Sequence, residues 1–155
     1  MKVAVFSDTH SSTARMVAAV RSSAPDALIH LGDFERDAEV LRREFPELPL
    51  YSVCGNCDFY PKAPAKAVVS LGPVKAFLTH GHLYNVDWGT DSLVYAAQEA
   101  GCRIAMYGHT HCAENAETAG VKLLNPGTAG KGRELTYAMV EIFENGGIAT
   151  EIRKL

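Results

Sequence analysis

Val3-Ala-Val-Phe-Ser-Asp-Thr-His10 runs from four apolar residues directly into a carboxylate and an imidazole. An apolar run of strand length, stopped by turn-forming polar residues, reads as a β-strand with ligand-capable groups at its carboxyl end. The same order recurs along the chain. Ala27–Leu31 leads into Gly32-Asp33, and Leu50–Val53 into Cys54-Gly-Asn56. Val74–Leu78 leads into Thr79-His80, Ile104–Tyr107 into Gly108-His-Thr-His111, and Lys122–Leu124 into Asn125-Pro-Gly127. In α/β sheets, ligands bind in the crevice outside the carboxyl ends of the strands. The repetition predicts that residues far apart in sequence converge there.

The other strand candidates are Ala67–Leu71, Thr136–Phe143 and Ile148–Ile152. Helical periodicity marks Thr13–Ser22, Glu35–Glu44 and Asp91–Ala100. Ser11 or Ser12 is expected to cap the first helix and Asp91 the third, with Gly101 suited to its end. Early alternation of strand and helix predicts parallel βαβ units. Glu144-Asn-Gly-Gly147 reads as a hairpin turn between the last two strands. Nine strands crowd a single open sheet in a chain of 155 residues, so two packed β-sheets with helices outside are expected, as one α/β domain over residues 1–155.

Composition narrows the function classes. The chain is 47% hydrophobic and 21% charged, the balance of an ordinary soluble domain that folds without disulfides. A formal net charge of −3 excludes a basic footprint for nucleic acid. No apolar run has the length of a membrane helix or of a secretory core, so a cytoplasmic protein is expected, without a membrane partner. The four cysteines then read as free thiols. Cys54-Gly-Asn-Cys57 spells a redox or half-zinc motif, but Pro61 and Pro64 follow too soon for the helix that a redox pair opens.

The chemistry rests on Asp8, His10, Asp33, Asn56, His80, His109 and His111. Carboxylate, imidazole and amide oxygen are ligands for first-row divalent metals. Seven donors exceed what one octahedral ion takes while still holding water, whereas two ions sharing a carboxylate can use them all. Two divalent cations against two carboxylates and one hydroxide leave a net positive centre, suited to an anionic phosphate ester. Asp8 and His10 are two residues apart, as are His109 and His111. In extended backbone each pair points to one side, with Thr9 and Thr110 facing away. His30, inside an apolar strand, is expected to be a satisfied core histidine. Gly127-Thr-Ala-Gly-Lys-Gly132 lacks P-loop spacing, although Lys131 and Arg133 stand where they can reach a substrate phosphate or remain solvated.

The motifs D-x-H, G-D, G-N-x-D, H-G-H, G-H-T-H and N-P-G-T, in this order from Asp8 to Thr128, resemble the calcineurin-like metallophosphoesterase superfamily. Gly55-Asn-Cys-Asp58 and Thr79-His-Gly-His-Leu-Tyr84 resemble its small prokaryotic phosphodiesterase branch. The resemblance implies a four-layer α/β/β/α sandwich. It implies a divalent-metal-dependent phosphodiesterase in which a metal-bridged hydroxide attacks the ester. One metal would be held by Asp8, His10 and His111, the other by Asn56, His80 and His109, with Asp33 bridging. Mn²⁺ is the expected ion, with Fe, Zn, Ni or Mg as alternatives. Asn56 and Arg133 are expected to contact a small-molecule phosphate ester, and the sequence permits a homo-oligomer. Many members carry histidine where Cys57 stands and use it to protonate the leaving group. That leaves His82 as the candidate acid, or as a support for the ligands, and favours substrates with acidic leaving groups. The competing readings are a phosphomonoesterase or protein phosphatase, and a non-catalytic interaction scaffold of the same fold.

Overall fold

The computed structural model describes all 155 residues. Strands β1 (Lys2–Phe6), β2 (Ala27–His30) and β3 (Leu50–Ser52) alternate with helices α1 (Ala14–Ser23) and α2 (Glu35–Glu44). They pair in parallel, as expected, with Val5 opposite Ile29 and His30 opposite Ser52. The hairpin β9 (Thr136–Ile142) and β10 (Ile148–Lys154) adds antiparallel to the free edge of β1, giving the order β10-β9-β1-β2-β3. A second five-stranded sheet has the order β4-β5-β6-β8-β7, from β4 (Lys66–Leu71), β5 (Val74–Thr79), β6 (Ile104–Met106), β7 (Glu114–Thr118) and β8 (Val121–Asn125). Within it β5, β6 and β8 run parallel, while the two outer strands are antiparallel. Helix α3 (Asp91–Glu99) connects β5 to β6.

Alternation along each central strand builds the layers. Val3 and Val5 face the second sheet and pack with Ala27, Ile29, Leu78, Ile104 and Met106 in the inter-sheet core. Ala4 and Phe6 face outward onto Met16, Ala19 and Val20 of α1 and Leu41 of α2. Across the molecule Phe77, Ala105 and Leu123 pack outward onto Leu93, Val94 and Ala97 of α3. The result is helices, sheet, sheet, helix, the expected four-layer sandwich. Both faces of the central parallel strands are covered, so Val3–Phe6, Ala27–His30 and Ile104–Met106 are buried without interruption. No helix is long and apolar enough to cross a membrane.

Three local expectations need correction. There are ten strands, because β7, Glu-Asn-Ala-Glu-Thr, pairs along β8 despite its polar, weakly strand-forming sequence. Helix α1 starts after Thr13 without a side-chain cap, and the Ser11 hydroxyl instead accepts from the Arg36 guanidinium. Helix α3 is preceded by Thr90, and Asp91 is its first residue, where a negative charge suits the positive helix terminus.

Candidate metal centre

Strands β1, β2 and β3 end beside β5, β6 and β8, and their carboxyl ends deliver the candidate ligands to one place. Asp8, His10, Asp33 and His111 offer ligand atoms that all lie within 4.8 Å of one another. His111 Nε2 lies 3.2 Å from Asp8 Oδ1, and His10 Nε2 3.3 Å from His111 Nε2. Asp33 turns Oδ2 towards His10 Nε2, at 3.9 Å, and Oδ1 towards His80 Nε2, at 3.3 Å.

The side chains do not converge through extended backbone, as the sequence suggested. Asp8, His10, Asp33, His109 and His111 all have positive φ, between 43° and 71°. The left-handed region is sparsely populated by residues with a Cβ, and such conformations cluster at functional sites. Neighbouring backbone holds them there. Asp8 N–H donates to Gly32 O, His109 N–H to Asp8 Oδ2, and Thr128 Oγ1–H to Asp8 O. Asn125, from N-P-G-T, donates to Gly108 O and Thr110 Oγ1, which fixes the G-H-T-H turn. Two glycines are required by close approach. A Cβ on Gly55 would stand 2.1 Å from Asp33 Oδ1, and one on Gly108 1.9 Å from Ser7 Oγ.

His80 gives the test of fit for a metal. It is fully buried, and its Nδ1–H donates to Leu31 O at 2.8 Å, so Nε2 of the neutral ring presents a lone pair. That atom and Asp8 Oδ1 are both buried without a hydrogen-bond partner, 3.9 Å apart. Acceptors left facing one another in a dry site repel and are costly to bury. A divalent cation among them satisfies both, so the residues fit the group.

The other candidates are less closely gathered. His109 sits with its ring 5.2 Å from that of His80, but its Nε2 pairs at 2.9 Å with Asp87, a residue the sequence reading missed. The Asn56 side chain is exposed and donates to Cys57 Sγ. The His82 ring lies 5.5 Å from that of His80, and Arg133 is exposed in the loop before β9. His30 is the expected core histidine. Gly32 N–H donates to its Nδ1, and its Nε2–H meets Thr9 Oγ1, which in turn donates to Asp33 O. Thr9 thus faces inward to support the site rather than facing away unused.

Electrostatics follow this packing. Burial works to raise the Asp33 pKa, but the Cys57 N–H bond and the nearby His80 and His10 outweigh it, so the carboxyl is held below its ordinary range. Burial pushes the Cys57 thiol up to about 11, with Asp33 adding to the effect, and Cys54 is raised as well by burial. Thiols so shifted make a poor redox pair. Burial and the neighbouring His80 and His109 lower His82.

An Asp/His cluster at the strand ends of a four-layer sandwich defines a metallophosphoesterase fold. The calcineurin-like phosphoesterase superfamily domain matches residues 1–145, and the chain belongs to that superfamily. The probable metallophosphoesterase YsnB of Bacillus subtilis is 31% identical over 131 residues, which cover 83% of this chain and 75% of that protein. A predicted phosphoesterase from Streptococcus pneumoniae superposes with a TM-score of 0.74 at 28% identity, covering 99% of this chain and 97% of that one. Vps29 of Entamoeba histolytica, solved with Zn²⁺, superposes at 0.78 with 22% identity over 99% of both chains, a likeness of fold.

Proposed function

We propose that the protein is a divalent-metal-dependent phosphodiesterase, with residues 1–155 forming one catalytic domain. The observation that carries this reading is the pair of buried, unpartnered ligand atoms, Asp8 Oδ1 and His80 Nε2, set against Asp33 and bordered by His10 and His111. Asp8, His10 and His111 are assigned to one ion, and Asn56, His80 and His109 to a second. Asp33 is assigned to both, which its two oxygens support by facing His10 and His80 separately. Bound divalent ions, Mn²⁺ foremost and Fe, Zn, Ni or Mg as alternatives, supply Lewis acidity and a water activated for in-line attack on phosphorus.

The chain supplies positioning. The Leu31 carbonyl fixes the tautomer of His80, and Asp87 aims His109. Asn56 and Arg133 are assigned to the substrate phosphate, and His82 to proton transfer at the leaving group. His82 is shifted towards its neutral form and Cys57 is too weak an acid, so neither readily protonates an alkoxide. Esters with acidic leaving groups, such as aryl phosphates, therefore turn over faster than alkyl ones. The preference for diesters rests on the likeness of Gly55–Asp58 and Thr79–Tyr84 to the small prokaryotic phosphodiesterases.

Protein stripped by a chelator should lose activity on bis(p-nitrophenyl) phosphate, regain it with Mn²⁺, and act more slowly on the monoester. Asp33→Asn should cost more activity than any other ligand substitution. Metal-loaded protein that leaves both esters intact would overturn the reading.

A further inference from the structure

Beside the metal-ligand cluster lies an open pocket of about 620 Å³, walled by Phe34, Phe59 and Tyr60 and by the Arg36 side chain. Phe59 is 89% and Tyr60 100% exposed, so a soluble surface presents two aromatic rings to water at one spot. Contiguous exposed apolar surface marks a binding site. Two of the three aromatics, Phe34 and Tyr60, also have positive φ, at 71° and 53°. Bulky residues in that region are outliers, and such strain persists only where the surrounding structure enforces it.

The enforcement is visible. The Glu35 carboxylate accepts the Lys62 and Ala63 amides at 2.8 and 2.9 Å. The Asp58 carboxylate accepts the Glu35 amide at 2.6 Å and the Gly55 amide at 2.8 Å. The aromatic loop is thereby tied at both flanks to the start of α2. A platform held in this way loses little conformational freedom when it is covered.

We propose that this pocket binds the organic group of the phosphodiester, and that the group is a planar aromatic ring system of nucleobase size; this rests on the phosphodiesterase reading. The pocket borders the cluster through two of its lining residues. The Phe34 ring stands edge-on to His10 at 5.1 Å, and Cys57, which lines the pocket, donates its N–H to Asp33 Oδ1. A phosphate held at the cluster projects its substituent across Phe34 towards Phe59 and Tyr60. The Arg36 guanidinium lies 4.8 Å over the Phe34 ring and donates to Ser11 Oγ, which extends the platform with a cationic plane. Aromatic and guanidinium faces stack on bases of any identity, whereas a small alkyl group offers no face to stack.

The test compares thymidine 5′-monophosphate with methyl phosphate, which share the phosphate and differ in the nucleoside, sugar and base together, and the ring variants below isolate the base. Calorimetry on Mn²⁺-loaded protein should show the nucleotide binding roughly tenfold or more tighter, in line with stacking on a single base. The double variant Phe59→Ala/Tyr60→Ala should lose that advantage while leaving methyl phosphate affinity and activity on the smallest diester unchanged. Phe59→Tyr/Tyr60→Phe, which keeps both rings, should retain it. Equal affinities for the two ligands in the native protein, or equal loss of both in the variant, would overturn the proposal. So would a change from dimer to monomer in sedimentation with both affinities preserved, which would make the face a contact between copies of the chain. Hydrolysis of bis(p-nitrophenyl) phosphate by the same preparation separates this failure from failure of the phosphodiesterase reading.

Discussion

Substituting His30 probes the buried network beneath the ligand cluster, and its effect can be worked from the structure. The imidazole is fully buried, and burial lowers its pKa from 6.5 to about 4, against the weaker opposing pull of Asp37, Asp8 and Asp58. Between those values the unfolded chain binds a proton at His30 and the native protein does not. Stability therefore rises with pH across the window, by up to about 1.4 kcal/mol per pH unit. Above pH 6.5 both states are neutral and nothing more is gained; below about 4 both are protonated and the loss levels off near 3 kcal/mol. From pH 7 down to 4.5 the two pKa values give a loss of about 2 kcal/mol from this residue.

His30→Gln keeps a polar group near Thr9 and the Gly32 amide but does not titrate. The variant should be less stable than the native protein at pH 7, and the gap should narrow by about 2 kcal/mol on acidification to pH 4.5. Urea unfolding midpoints at four pH values, with chelator present throughout to keep metal binding out of the comparison, would read this. Other groups titrate alike in both proteins and cancel. Parallel curves over the whole range would refute the claim that His30 is held neutral in the core.

Two further substitutions address how the site is held. Gly55→Ala should push against the Asp33 carboxylate, destabilise the protein by about 1–3 kcal/mol, and abolish the rise in melting temperature on adding Mn²⁺; an unchanged rise would contradict the close approach. Asp87→Ala should weaken Mn²⁺ binding by roughly tenfold or more through loss of the partner that aims His109, as measured by calorimetry, and unaltered affinity would leave Asp87 a surface charge.

Much of this architecture is legible in the sequence because one signal does two jobs. The apolar runs at Val3–Phe6, Ala27–Leu31 and Ile104–Tyr107 are buried on both faces, and each run ends at the crevice, so the polar residue that follows is delivered there, itself largely buried. That is why Asp8, Asp33 and His80 could be picked without a structure. The manner of convergence could not be read, because a positive φ at Asp8 or His111 leaves no periodic trace; the known tolerance of Asp and His for that region is the one hint. β7 was invisible because its register comes from β8 and the tight Ala119-Gly120 turn, not from its own propensity. Asp87 and the aromatic wall of Phe34, Phe59 and Tyr60 lie in loops, where neighbours in space are not neighbours in pattern.

The position of β1 at the centre of its sheet has a consequence for biosynthesis. Asp8 and His10 are made well before their supports: β1 finds its antiparallel partner only in β9, and the Asp8 turn is fastened by Thr128, 120 residues later. Nascent chains interrupted before that point lack the clasp on Asp8, so the Asp/His cluster closes only once β9 has been made.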